Sequence, residues 1–218
     1  MVMKSSYVIY SLAISIIAGL FASRKKNTKK YIRVFTVFLI LSLLVEIIGD
    51  LRSYKRLNNL LMYNFFTGFE FTFYIWMIRN IVQNEKAKKY IFYILLFFPF
   101  LDLFNIFFIQ GIKHFHTITY AIGCLLIVLL CIYYFLELFQ SSISVNLLRQ
   151  PAFWICSGLL FYYCCSFPIF GLSNFLLSLP RVIIVNISTI IILLNIFLYS
   201  MFTLAFLCRF RTMKSSPL

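Results

Sequence analysis

Apolar residues fill seven long stretches of this chain, residues 7–22, 34–51, 60–78, 90–109, 117–139, 152–170 and 182–208, each closed by a short polar interval. A helix needs about 20 apolar residues to cross the ~30 Å hydrocarbon core, where unpaired backbone groups bar open strands. The runs also lack the alternation of a transmembrane barrel strand. The pattern therefore predicts an all-α fold, a single seven-helix transmembrane domain over residues 1–218. No soluble domain is expected, because the polar intervals are too short to bury a core. The first stretch is the shortest, and the last is long enough to tilt or to run past the bilayer.

Composition agrees: 62% of the 218 residues are hydrophobic and only 12% charged, with a mean hydropathy of +0.94. Basic residues collect on loops facing the cytoplasm. Arg24, Lys25, Lys26, Lys29, Lys30, Arg33, Arg79, Lys86, Lys88, Lys89, Arg149, Arg209, Arg211 and Lys214 fall on one side, and Lys4, Arg52, Lys55, Arg56, Lys113 and Arg181 on the other. This split predicts the N-terminus outside and the C-terminus inside. One lysine before the first stretch and six basic residues just after it read as a reverse signal-anchor, not a cleaved leader.

The net charge of +14 raises nucleic acid as a partner, yet the basic residues sit at span ends, where they orient helices and meet anionic lipid headgroups. Membrane lipids are the expected partners, and nucleic acid is not. Six cysteines all fall inside apolar runs without a Cys-x-x-Cys pair, which argues against structural disulfides and zinc. Trp76, Tyr90 and Trp154 lie near span ends, as in an aromatic belt.

Five of the six acidic residues lie in or at the edge of spans. A carboxylate in hydrocarbon costs several kcal/mol, so each marks a candidate site. Glu46 and Asp50, four apart, share one helix face, and their repulsion calls for a proton, a cation or a basic side chain from Arg52, Lys55 or Arg56. In the third stretch Tyr63, Thr67, Glu70 and Tyr74 form a polar stripe, with Asn58, Asn59 and Asn64 around the same corner. Asp102 and Asn105 share a face just after Pro99, a residue that frees backbone carbonyls and often marks a cavity-lining helix. The ligand-binding candidates are Glu46, Asp50, Tyr63, Asn64, Thr67, Glu70, Asp102 and Asn105, and the four acids among them are expected to converge on one outer polar cavity. Glu137, near an inner end, is expected to reach water.

His114 and His116 read as two interfacial histidines without a metal. Ser188, Asn195, Tyr199 and Thr203 read as interhelical hydrogen-bonding glue. The last stretch has no lysine for a retinal Schiff base, no catalytic set emerges, and neither a metal nor a cofactor is expected.

Glu46-Ile-Ile-Gly-Asp50, Tyr63-Asn-Phe-Phe-Thr-Gly-Phe-Glu70, Pro151-Ala-Phe-Trp154 and Gly158-Leu-Leu-Phe-Tyr162 resemble patterns in an uncharacterised family of small bacterial seven-helix membrane proteins, some encoded near sensor histidine kinases. That resemblance implies a sensory or accessory role in a bacterial inner membrane. Over about thirty residues, Gly49-Asp50 followed by Arg52 and Arg56 is similar to the YhhN family of lysoplasmalogenase-like membrane hydrolases, which would imply hydrolysis centred on Asp50. The expected function is a non-enzymatic sensor or accessory subunit that couples the outer polar site to a cytoplasmic or membrane-attached signalling protein. The alternatives are a small ion- or proton-coupled transporter and an intramembrane lipid hydrolase.

Overall fold

The computed structural model describes residues 2–24, 28–111, 114–140, 146–171 and 180–212. Among them are seven α-helices: α1 (Val2–Ser23), α2 (Lys30–Tyr54), α3 (Leu60–Ile81), α4 (Glu85–Phe104), α5 (Thr117–Gln140), α6 (Pro151–Gly171) and α7 (Arg181–Thr212). Six of them are long and apolar enough to cross a membrane. The exception is α3, whose 22 residues suffice in length but whose stripe of Tyr63, Asn64, Thr67, Glu70, Tyr74 and Arg79 lowers its apolar content. Its 32 residues make α7 roughly 48 Å long, well beyond a bilayer's hydrocarbon.

α1 packs between α2 and α7, α7 against α6, α6 against α5, and α5 against α3, while α4 lies outside this ring against α3. Aromatic rings close the gap between α2 and α3, with Phe38 and Phe73 stacked at 4.0 Å and 3° between planes. α3 also reaches deep into the bundle. Phe71 meets Phe98 of α4, Tyr120 of α5 and Tyr163 of α6, and Tyr74 meets Phe202 of α7. A helix enclosed by other helices does not need the apolar surface that lipid demands, which is why the most polar helix can occupy this place.

Local chemistry sets the helix ends. The Asn59 amide donates to the Gly49 carbonyl at 2.9 Å and to Ser53 Oγ at 2.8 Å. Arg52 donates from Nε to Asn59 Oδ1 and from Nη2 to the Asn58 carbonyl. The turn from α2 to α3 is thus fastened by its own side chains, and Arg52 is engaged there and not by Glu46. At the other end of the bundle Asn84 caps α4 by accepting from the Lys86 and Ala87 amides. The Glu137 carboxylate, from α5, accepts from the Gln83 and Asn84 amides at 2.9 and 2.6 Å. Glu137, expected to reach water, is half-buried and also ties α5 to the α3–α4 turn, because unpaired amides at a helix start attract a carboxylate.

α4 ends irregularly. Pro99 stands inside it, and residues Asn105–Ile109 continue as a π-turn closed by a bond from the Gln110 amide to the Asn105 carbonyl at 3.0 Å. Such wide turns rotate the side chains that follow and cluster at functional sites.

Candidate functional site

The eight site residues expected from the sequence form two groups with α3 between them. The reason is helical geometry: Asn64, Gly68 and Phe71 share one face of α3, whereas Tyr63, Thr67, Glu70 and Tyr74 share another. The expectation of a single cavity shared by all four acids is therefore corrected.

The first group joins α2 to the second face of α3. Glu46 and Asp50 lie close enough to repel each other, and the Tyr63 side chain sits in the field of both. The Tyr63 hydroxyl rests against Gly49, where a Cβ would overlap it. Glu70 faces Tyr74 on its own helix and Glu46 across the interface, with Tyr162 of α6 and Tyr199 of α7 around it. Thr67 is half-buried on the same face. Glu46 and Glu70 form no ion pair with a described residue. Carboxyls gathered this closely in a low dielectric require positive charge, carried by protons, by a cation or by a basic group of a ligand.

The second group lies between α3, α4 and α5. Asp102 is buried, its carboxylate seated where a Cβ of Gly68 would stand, and it interacts with Thr119 and with His116. Asn105 Nδ2 donates to Thr119 Oγ1 at 2.7 Å and to Gln110 Oε1 at 2.9 Å, and Gln110 Nε2 donates to Thr117 Oγ1 at 2.9 Å. Asn64 belongs here and not to the Glu70 corner: its Nδ2 donates to the His114 carbonyl at 2.9 Å, and its Oδ1 accepts from the His116 amide.

Sequence reasoning placed His116 at the interface, but it is buried, whereas His114 is exposed. The reason is the Asn64 clamp, a pairing across 52 residues to which local pattern gives no clue. Gln110, Thr117 and Thr119 were likewise missed. The one signal for them is the polar run Thr117-Ile-Thr119 opening an otherwise apolar stretch. In α7, Tyr199 is buried at the first group, while Asn195 and Thr203 bond to carbonyls of their own helix.

At the opposite end a cavity of about 560 Å³ opens among Lys29, Tyr31, Gln83, Tyr134, Glu137 and Gln150. Among the described residues no three His, Cys, Asp or Glu side chains are gathered as for a metal ion. Compared with known proteins, the chain matches no family model, no curated protein and no solved structure.

Proposed function

We propose that this protein spans the membrane seven times, with the start of α1 outside, and acts as a non-enzymatic sensor or accessory subunit. Its ligand carries a positive charge and engages Glu46, Asp50 and Glu70. The observation that carries this reading is the gathering of these acids across the α2–α3 interface, with Glu46 and Glu70 free of basic partners among the described residues. Neutralising them relaxes the repulsion between α2 and α3, two helices held mainly by interlocking rings. A ligand shifts such an equilibrium only as far as it binds one packing better than the other. The change is read at the basic cytoplasmic end, where the cavity beside Lys29 and Gln83 offers a partner a foothold. The short loops argue for a separate partner, a membrane-attached signalling protein such as a kinase, in a bacterial inner membrane, as the resemblance in residues 46–70 suggests.

The setting of Thr119 also supports a non-enzymatic role. This hydroxyl approaches the Asp102 carboxylate, but Thr119 is 1% exposed and beyond the reach of a substrate carbonyl. Co-purification from native membranes is the test. A stable complex whose activity changes with Glu70→Gln is expected. A purified protein that by itself hydrolyses lipid, or carries solute into liposomes, would overturn the reading in favour of the hydrolase or the transporter.

A further inference from the structure

The group between α3, α4 and α5 is a second site, and its chemistry is legible from the atoms it leaves unsatisfied. Asn105 is 1% exposed and spends both of its amide hydrogens, on Thr119 and on Gln110. Its Oδ1 has no hydrogen-bond partner among the described residues, and neither has Nδ1 of His116, which is 4% exposed. The Gly111 carbonyl, 3.0 Å from His116 Nε2, can only accept. The tautomer that bonds this carbonyl carries its hydrogen on Nε2 and presents Nδ1 as a lone pair. Asn64 Nδ2, which gives one of its two hydrogens to the His114 carbonyl, lies 3.2 Å from the same nitrogen.

The unmet groups are thus an amide oxygen and an imidazole nitrogen, both buried, beside the buried Asp102 carboxylate that Thr119 engages. Leaving such groups unmet is costly, so what complements them must bring positive charge or hydrogen-bond donors only. Soft metals want several thiolate or imidazole ligands, whereas carboxylate, amide and hydroxyl oxygens suit hard cations. One imidazole and one carboxylate among neutral oxygens favour a hard cation. The space is small, because Asp102 is pressed onto Gly68 and Asn105 lies 2.7 Å from Thr119.

We propose that Asp102, Asn105 and Thr119, with His116 at their edge, bind a small monovalent cation of the sodium class where the π-turn of α4 meets α3 and α5. The π-turn contributes directly, since it begins at Asn105 and sets the direction of that side chain. This site stands apart from Glu46 and Glu70 and holds whether or not the sensing role is correct.

The test is thermal unfolding of the full-length protein in lipid nanodiscs, titrated with sodium chloride against choline chloride at constant ionic strength and pH. Saturating sodium is expected to raise the midpoint by about 5 °C, and potassium to do so only at a concentration at least about tenfold higher. Asp102→Asn and Asn105→Leu should abolish the sodium response, and Thr119→Val should weaken it; Glu70→Gln should leave it intact. If Asp102→Asn does not fold, Thr119→Val still reports on the site. An equal midpoint in sodium and choline would mean that water or the His116 imidazolium fills this place, and would overturn the proposal. A sodium response that survives Asp102→Asn, or a response to zinc and not to sodium, would overturn it equally.

Discussion

The two faces of α3 carry similar residue types in different states. On the face toward α4 and α5, Asn64, Asp102, Asn105, Gln110 and Thr119 are held in a dense hydrogen-bonded set across three helices. On the face toward α2, Glu46 and Glu70 oppose each other among tyrosines without a basic partner among the described residues. Gly68 separates the two cases: without a side chain, it lets a carboxylate from the neighbouring helix sit against the α3 backbone. A hydrogen-bonded polar set rigidifies a bundle, whereas opposed like charges leave an interface ready to move. The first face is where the proposed ion would bind, the second where the proposed ligand would.

The largest effect should come from the glycines. Gly68→Ala places a methyl on the buried Asp102 carboxylate and should cost about 3 kcal/mol in unfolding experiments. Gly49→Ala meets the Tyr63 hydroxyl, the far end of a half-buried side chain that can swing aside, and should cost about 1 kcal/mol. Equal costs would erase the distinction between the faces.

Next is Asn105→Leu. It leaves Gln110 and Thr119 without their shared donor and should destabilise by about 2 kcal/mol, measured by thermal unfolding without sodium. A neutral result would mean that the set contributes little rigidity.

Glu137→Gln, at the far end, keeps the shape of the side chain but loses its charge at the start of α4. A cost of about 1 kcal/mol is expected, with no effect on partner activity. A change in signalling without a change in stability would move the functional region to the cavity at that end of the bundle.

The smallest effect has the opposite sign. Glu46→Gln removes one of two like charges four residues apart and should stabilise the protein by about 0.5 kcal/mol while reducing its response to a cationic ligand. A clear loss of stability would show that Glu46 is structurally satisfied and would weaken the sensing role.

The helical class and the approximate limits of the helices follow from the sequence alone. These depend on short-range rules: apolar run length, 3.6-residue periodicity, and asparagine or proline at helix ends. The pairing of Glu46 with Asp50 was legible for the same reason, since both lie on one helix. The partition of the acids into two sites was not. Periodicity says which residues share a face of α3 but not which helix that face meets, and α4 might equally have closed on α2. Likewise, nothing near His116 signals its burial, and nothing near Glu137 signals its bond to the Gln83 and Asn84 amides. Each of these depends on contacts more than fifty residues apart, and only the packing of the helices against one another brings such partners together.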